Sequence, residues 1–358
     1  MTRLLIACLL VAASITSAGS DGRLQPPAPI PWEPDKLHGF WKYTIPLGSD
    51  YDGPITATLV RRPKDPARDC AVLYLHGFVD YFFQRHMADF YETITAPRAP
   101  MGCDFFALDL RKYGRSLPDD YEFKNFAKSL DEYFDEITFA LKVIEADRYK
   151  FVLFNGHSTG ALTAVRYVQS GELGAKVSAL FLNSPFLDFS DRDLREVAGA
   201  RSIAKLVGFL RPYGKRSKPS VPIWYARSLL RPSECADCHG RWKFSQRLKP
   251  IKGFRVFFGW VRAIINAQDR ALKEEIEKPI LILRSARSND GTDTIWHEEY
   301  RRADLVLDVE DMEREGRRLG RQVVIRPIEG GVHDLMLSDP DALARVFNEV
   351  TAWMRTLP

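Results

Sequence analysis

The sequence predicts an α/β protein with a mostly parallel, doubly wound sheet and a helical insertion near its middle. Short continuous apolar runs, typical of strands buried on both faces, alternate with amphipathic helical stretches along the chain. This alternation breaks at residue 186 and resumes at residue 279. A chain of 358 residues is long enough for one large domain that carries such an insertion.

The N-terminus has the pattern of a secretory signal peptide. Arg3 precedes an apolar run over residues 4–13, and small residues follow up to Ser20. We expect cleavage after Ala18, which makes residues 1–18 the signal, with cleavage at Ser20 as the other candidate. An uncleaved N-terminal anchor is the alternative. The pattern predicts a secreted or periplasmic protein.

The remaining chain divides into a leader and one domain. Residues 19–40 are proline-rich, cannot form a helix, and are expected to lie extended along the body. The domain is expected to span residues 41–358. Two strands at residues 41–47 and 54–61 flank a Gly/Asp turn and are expected to pair antiparallel.

Six apolar runs then predict the remaining strands, at residues 71–75, 104–108, 151–154, 177–182, 279–283 and 323–328. Helical periodicity predicts helices at residues 84–94, 124–146, 161–172, 310–319 and 340–357. The stretch over residues 186–278 is helical, basic and contains five prolines, so it is expected to lie over the sheet as an insertion.

The positive charge of the chain is concentrated in this insertion. The whole chain carries a net charge of +4, which is too small for its size to indicate nucleic-acid binding. Residues 189–277 hold nineteen Lys or Arg against nine Asp or Glu. Such a segment is suited to an anionic membrane surface or a phosphate-bearing substrate, and a solvated basic face without a partner is the alternative.

Four cysteines follow the predicted signal peptide. Cys70 and Cys103 each open a predicted parallel strand, so a disulfide forms readily if those strands are neighbours. Cys235 and Cys238 precede His239 with the spacing of covalent haem attachment. Because no second haem ligand is evident, a local disulfide or a pair of free thiols is favoured, and no cofactor is expected.

The stretch Gly156-His157-Ser158-Thr159-Gly160 lies between a predicted strand and a predicted helix. A sharp turn of this kind leaves its serine strained and exposed, and the glycines allow strand and helix to approach closely. The helix N-terminus adds free N–H groups beside the hydroxyl. This context favours a nucleophilic serine over a chance glycine turn.

Five motifs occur in order over residues 71–334, and together they resemble the α/β-hydrolase fold. The chain is similar in particular to the group of serine aminopeptidases S33, monoacylglycerol lipases and lysophospholipases. The matching stretches are Leu73–Phe78, Asp109–Ser116, Gly156–Gly160, Asn183–Pro185 and Gly331-Val332-His333. The insertion falls where that group carries a lid.

The resemblance implies roles for two residues. Ser158 is expected to be the nucleophile, and His333, in a glycine-rich loop after the last strand, is expected to be its base. His76 and His157 also lie beside the site. Neither fits the chain order of serine, acid, histidine, so both are interpreted as structural.

At the triad acid the sequence departs from the family's pattern. The family places it just after the strand at residues 280–283, where this chain has no carboxylate. We assign Asp304, because Arg302-Ala303-Asp304 resembles the family's Ser-Ala-Asp and precedes His333 by a helix. Asp308, Asp290 and Asp293 are rivals, and Asp304 in a surface turn is the alternative.

The resemblance also implies an oxyanion hole and an acyl pocket. The two donors are expected to be the backbone N–H groups of Phe78 and Thr159. Phe78, Tyr81 and Phe82 are expected to line an apolar pocket for the acyl chain and so to bind substrate. Ordinary core packing is the alternative for these aromatic residues.

The favoured function is a serine hydrolase that cleaves lipid-like carboxylic esters, of monoacylglycerol or lysophospholipid type, through an acyl-enzyme. An aminopeptidase or amidase of the same group is the second hypothesis, although it needs an acidic pocket that the basic insertion disfavours. A binding protein that has the fold without catalysis is the third. No metal and no nucleic-acid partner are expected.

Overall fold

The computed structural model describes residues 24–146, 148–189, 199–215 and 221–357. The predicted signal peptide, the first residues of the leader and part of the insertion therefore lie outside the described residues. In the described part of the leader, Glu33–Pro34 pairs with the first long strand of the domain.

The described strands form a nine-stranded sheet in the order β1-β2-β3-β5-β4-β6-β7-β8-β9. The strands are β1 (Glu33–Pro34), β2 (Trp41–Asp50), β3 (Gly53–Arg61), β4 (Cys70–Leu75), β5 (Cys103–Asp109), β6 (Phe151–His157), β7 (Ala179–Asn183), β8 (Ile280–Ser285) and β9 (Val323–Ile328). The pairs from β1 to β3, and β3 with β5, are antiparallel, whereas β5, β4, β6, β7, β8 and β9 run parallel. The predicted fold class is confirmed.

Helices α1 (Arg85–Thr93), α2 (Phe134–Ala146), α3 (Thr159–Ser170), α4 (Ala200–Leu210), α5 (Ile223–Leu229), α6 (Phe258–Ala271), α7 (Val309–Gly316) and α8 (Pro340–Thr356) connect or follow the strands. The helix predicted from residue 124 begins later than expected. Ser129 accepts a hydrogen bond from the Asp131 N–H, and the side chain of Glu132 accepts one from the Ser129 N–H. This capping box starts a short 3₁₀ turn that leads into α2.

The sheet separates two hydrophobic cores because alternate residues of each buried strand face opposite sides. Leu73 and Leu75 of β4 belong to the core under α2, α3 and α6. Val72 and Tyr74 belong to the core under α1 and α8. All six residues of β4 are buried, as expected for a central strand covered on both faces.

Both cysteine pairs form disulfides. Cys70 and Cys103 are register partners on the neighbouring strands β4 and β5, which confirms the expected bridge at that end of the sheet. Cys235 is bonded to Cys238 within the insertion. These two sulfurs are therefore joined to each other, as favoured over haem attachment.

Between β7 and β8 the described chain contains α4, α5 and α6. Helix α6 packs on α3 and α4, and α5 belongs to a third hydrophobic cluster with residues that precede α1 and follow β8. In the part of the chain that the structure describes, no helix combines the length and apolar character needed to cross a bilayer.

Candidate active site

Ser158 lies at the turn between β6 and α3 in a strained conformation. Its φ of 53° and ψ of −117° are unusual for a residue with a side chain. The turn is tight because β6 and α3 nearly touch. A Cβ at Gly156 would lie 2.5 Å from the Ala161 Cα, and one at Gly160 would lie 2.3 Å from the His76 carbonyl oxygen. Only glycine fits at these two positions.

Ser158, His333 and Asp304 form one hydrogen-bonded chain. The Ser158 Oγ lies 3.1 Å from His333 Nε2, and His333 Nδ1 lies 2.8 Å from Asp304 Oδ2. A carboxylate only accepts, so Nδ1 carries the proton and Nε2 is free to accept from the serine hydroxyl. All three side chains are buried, with exposed fractions of 6%, 3% and 0%. In this arrangement a histidine can take the proton of the serine hydroxyl while the carboxylate orients the ring.

Asp304 reaches this position because the chain returns to the end of β8 after a long loop. A parallel β-bridge joins Asp304 to Ser288, and the Asp304 N–H donates to the Arg287 carbonyl oxygen at 3.0 Å. The N–H groups of Val306 and Leu307 both donate to Oδ1 at 2.8 Å. Oδ1 is thus held by the backbone, and Oδ2 is left for His333.

The three rival carboxylates have other partners. Asp308 caps α7 by accepting from the Glu310 N–H, and Asp290 accepts from Thr292. Asp293 accepts from His297 Nε2 at 2.6 Å on the surface. The structure therefore brings Asp304, and none of these three, to His333.

The loop that carries His333 is anchored by Asp334, a residue that the sequence interpretation missed. Asp334 is fully buried, and its carboxylate accepts from Asn183 Nδ2 at 2.9 Å and from Gln84 Nε2 at 3.0 Å. Burial alone would raise the pKa of Asp334. The positive charge that His157 gains only at acidic pH, the charge of Lys249 and these hydrogen bonds together hold that pKa below its ordinary value. The Asn183-Ser184-Pro185 motif was the available indication, since it contains the partner of this carboxylate.

Among the described residues, nothing occupies the backbone N–H groups of Phe78 and Thr159, so both can donate to a ligand. Both residues line the cavity that contains the Ser158 side chain. Thr159 is the first residue of α3, where N–H groups lack an intrahelical partner. Within the described chain no residue accepts a hydrogen bond from the Phe78 N–H. Two donors beside a serine can stabilise an oxyanion.

The cavity at Ser158 has a volume of about 110 Å³, and most of the residues that line it are aliphatic or aromatic. Much of its wall comes from the segment between β7 and β8, which sequence patterns did not identify as a source of pocket residues. Phe186, Phe189, Val221, Tyr225, Val256, Trp260 and Val261 contribute, together with Val306 and Leu307 near Asp304. Phe78 packs against Trp260 with tilted rings whose centroids are 4.1 Å apart.

The structure corrects the expectation that Tyr81 and Phe82 line this pocket. Val79 adopts a φ of 52°, and the chain beyond it turns into the protein. Phe82 is fully buried in the core under α1, where it contacts Tyr74. The Tyr81 hydroxyl accepts a hydrogen bond from the Ser245 N–H at 2.8 Å. Of the three predicted aromatic residues, only Phe78 lies in the cavity wall.

His76 and His157 have structural contacts and no hydrogen bond to Ser158 among the described residues. His76 Nδ1 donates to the Gly77 carbonyl oxygen at 2.8 Å, and Nε2 accepts from the Leu110 N–H at 3.1 Å. His157 Nδ1 lies 3.3 Å from the Asn183 carbonyl oxygen. Burial lowers the pKa of His157 to about 4, so it is neutral at physiological pH.

Asp80, His157 and Asp334 place donor atoms within 4.8 Å of one another, the spacing of a possible metal site. Protein donors already hold both carboxylates. The ammonium of Lys249 contacts Asp80, and the side-chain amides of Gln84 and Asn183 bond to Asp334. Asp80 Oδ2 has no hydrogen-bond partner among the described residues. The other contacts of the two carboxylates come from protein side chains, so the cluster resembles a protein hydrogen-bond network more than an open set of metal ligands.

We expect His157 to make the folded protein less stable as pH falls from 6.5 towards 4. In that range the unfolded chain binds a proton at this histidine and the folded chain does not, so the free energy of unfolding decreases by about 3 kcal/mol in total. Chemical denaturation at several pH values measures the slope. His157→Gln should flatten it, while His86, whose pKa burial also lowers, contributes equally in both proteins. An unchanged slope would contradict this assignment.

A family model described as the alpha/beta hydrolase family matches residues 72–346. No curated protein sequence is significantly similar to the chain. The structure is similar to a soluble variant of monoglyceride lipase from Saccharomyces cerevisiae in complex with a substrate analogue, with a TM-score of 0.59, 15% identity and coverage of 88% of this chain and 97% of that chain.

It is also similar to a monoacylglycerol lipase from Paleococcus ferrophilus, with a TM-score of 0.56, 18% identity and coverage of 89% of this chain and 99% of that chain. An esterase from Pyrococcus furiosus has a TM-score of 0.51, 16% identity and coverage of 94% and 98%. At these identities the likeness establishes a common fold.

Proposed function

The chain belongs to the alpha/beta hydrolase family, and on that premise we propose that it is a serine hydrolase that cleaves carboxylic esters through an acyl-enzyme. The single observation that carries the proposal is the hydrogen-bonded chain from Ser158 through His333 to Asp304. Two backbone N–H donors and a cavity lined mainly by aliphatic and aromatic residues lie beside the same serine. These are the parts that acyl transfer requires.

In the first step, the Ser158 hydroxyl attacks the ester carbonyl while His333 Nε2 takes its proton. The Phe78 and Thr159 N–H groups stabilise the oxyanion of the tetrahedral intermediate. Asp304 keeps the imidazolium oriented and compensates its charge. Collapse of the intermediate breaks the bond to the alcohol oxygen, which receives the proton from His333, and leaves the acyl group on Ser158.

In the second step, water replaces the alcohol. His333 takes a proton from the water as it attacks the acyl-enzyme, and the same two N–H groups stabilise the second oxyanion. When that intermediate collapses, the proton returns to the Ser158 oxygen and the carboxylic acid leaves. The enzyme is restored without any change in redox state.

A lipid-like ester, of monoacylglycerol or lysophospholipid type, is the substrate class that we propose. The side chains that surround Ser158 are largely aliphatic and aromatic, which suits an acyl chain. Among the described residues that line the cavity none is Asp or Glu, whereas an aminopeptidase needs a carboxylate for the free amino terminus of its substrate. Two of the proteins of similar fold are monoacylglycerol lipases by name, which agrees with this proposal.

A parallel activity screen tests the proposal. The purified protein is labelled with a fluorophosphonate and assayed on p-nitrophenyl esters of increasing acyl length and on aminoacyl anilides. We expect a stoichiometric label on Ser158 and turnover of esters alone. Turnover of anilides would favour the aminopeptidase hypothesis, and failure of Ser158 to react would favour a binding protein.

An anionic membrane surface is the proposed partner of the insertion. Helix α4 exposes Ile203, Leu206, Phe209 and Leu210, with between 57% and 66% of each residue accessible. An apolar helix stripe within a strongly basic segment has the composition of interfacial helices that bind anionic lipid. Docking there would bring a lipid substrate close to the cavity.

We expect Leu206→Asp with Phe209→Asp to weaken binding to phosphatidylglycerol vesicles at least tenfold, because each buried apolar side chain contributes about 1.5–3 kcal/mol. Vesicle co-sedimentation measures the effect. Ile295→Asp, at an equally exposed residue outside the insertion, is the matched control and should bind normally. Hydrolysis of a soluble short-chain ester should be unchanged in all three proteins. Normal vesicle binding by the double variant would contradict the proposal.

We propose that the protein is exported from the cytosol. The N-terminal pattern predicts it, and the two disulfides are typical of proteins that fold outside the reducing cytosol. N-terminal sequencing of the mature protein tests the proposal, with cleavage expected after Ala18. A chain that keeps its first residues in the cytosol would contradict it.

A further inference from the structure

A buried ion pair joins the insertion to the loop that follows β4. The ammonium of Lys249 lies 2.8 Å from Asp80 Oδ1, and the exposed fractions of the two residues are 3% and 1%. Asp80 is two residues after Phe78, whose N–H group is one of the proposed oxyanion donors. The pair therefore connects a residue of the insertion directly to the catalytic loop.

The aromatic side chains around the ion pair favour a cation at the position of the Lys249 ammonium. The rings of Phe83, Tyr225 and Phe244 lie with their centroids 5.7 to 5.9 Å from the Lys249 ammonium. Such rings attract a cation and exclude water, which strengthens the contact with Asp80. Tyr225 also lines the cavity and packs its ring edge-on to His333, at 5.7 Å between centroids.

The loop after β4 is held from two sides. From the body of the domain, Asn125 Oδ1 accepts a hydrogen bond from the Val79 N–H at 3.2 Å. From the insertion, Lys249 contacts Asp80, and the Ser245 N–H donates to the Tyr81 hydroxyl. Val79 is in a left-handed conformation that such a residue rarely adopts, so outside contacts are needed to maintain it.

The energetics distinguish this pair from an ordinary stabilising contact. A buried ion pair gains little over apolar side chains of similar size, because both charges lose their hydration. Removing one member, however, leaves the other charge buried without a partner. The pair is therefore better suited to fixing one position of the loop than to adding stability.

We propose that Lys249 is a positioning residue of the active site, which fixes Asp80 and thereby directs the Phe78 N–H at the oxyanion. The inference rests on the proposed function. It makes catalysis depend on the docked insertion, because the oxyanion hole is complete only when Lys249 lies against Asp80. The insertion would then take part in the chemistry as well as form the wall of the cavity.

Lys249→Met tests the inference by keeping the length of the side chain and removing its charge. We expect kcat on a soluble p-nitrophenyl ester to fall about 100-fold, the usual effect of losing one oxyanion donor. KM should change less than threefold, because the apolar wall is retained. Affinity for a trifluoromethyl ketone, which forms an oxyanion on Ser158, should weaken in parallel with kcat/KM. A change of stability alone would leave that affinity unaltered.

Two further variants separate positioning from folding. Asp80→Asn with Lys249→Met removes both charges, so thermal stability should return to near that of the wild type while kcat stays at least tenfold low. Arg247→Met is the matched control. It breaks an ion pair between the same segment and Asp119, at 2.8 Å, in which both side chains are exposed, and should leave kcat and ketone affinity unchanged.

These experiments distinguish a failure of the positioning role of Lys249 from a failure of the proposed function. If the wild type fails to hydrolyse esters and to bind the ketone, the proposed function fails. If the wild type does both and Lys249→Met matches it, the positioning role is wrong. Recovery of kcat together with stability in the double variant would also overturn it, since the pair would then serve folding alone.

Discussion

Ser158→Ala is expected to lower ester turnover by at least about 10³-fold, and by up to about 10⁶-fold if triad function is lost completely. The substitution removes the atom that, in the proposed mechanism, forms the acyl-enzyme, while the backbone keeps its unusual conformation. The Ser158 Oγ contacts His333 and no other described residue by hydrogen bond, so the fold should be retained. Steady-state kinetics, fluorophosphonate labelling and circular dichroism together measure the effect.

Ser184→Ala is the matched control for this prediction. Ser184 is also a buried serine at the end of a parallel strand, with a φ of 47°, and its Oγ has no hydrogen-bond partner in the described structure. Its loss should change turnover less than threefold. Ester hydrolysis that survives Ser158→Ala but not Ser184→Ala would mean that the nucleophile is assigned wrongly.

The parallel sheet was predictable from the sequence because burial on both faces produces a distinctive pattern. The run Ala71–Leu75 is apolar without interruption, and the structure buries the corresponding strand completely. The same holds for Phe151–Phe154 before the serine. The chain order of strands and helices then restricts the topology to few choices. The disulfide between Cys70 and Cys103 follows from the same reasoning about strand ends.

Residue type was a weaker guide to side-chain direction in loops. Tyr81 and Phe82 are aromatic and close in sequence to Phe78, but the left-handed residue Val79 redirects the chain away from the cavity. Valine is β-branched and rarely adopts a positive φ, so the residue type at position 79 gives no indication of this turn. The start of α2 was misplaced for a related reason. The apolar periodicity continues through residues 124–129, although local hydrogen bonds at Ser129 begin the helix later.

Contacts between segments that are distant in sequence could not be predicted from local sequence patterns. Lys249 is one of nineteen basic residues in its segment, and the sequence gives no reason to single it out. In the structure its ammonium is buried against Asp80. Asp334 likewise appears as an ordinary loop carboxylate until Asn183 and Gln84 are seen beside it. Such pairs depend on tertiary packing that brings residues more than a hundred positions apart together.

Asp304→Asn is expected to lower kcat about 10⁴-fold while leaving the fold intact, as is typical when an orienting carboxylate becomes an amide. The N–H groups of Val306 and Leu307 both donate to Oδ1, so the amide oxygen of the new side chain must occupy that position. Its NH₂ group then faces His333 Nδ1 and forces the proton to Nε2. That tautomer cannot accept the proton of Ser158.

The rival carboxylates provide the controls for this prediction. Asp308→Asn should keep wild-type turnover, and because Asn is also a good N-cap its stability should change by less than about 1 kcal/mol. Asp293→Asn loses only a surface contact with His297 and should also turn over normally. If kcat fell 10⁴-fold in either control and less in Asp304→Asn, the substituted control residue would be the triad acid and the assignment of Asp304 would be wrong. The hydrogen bond from His333 to Asp304 predicts the opposite order.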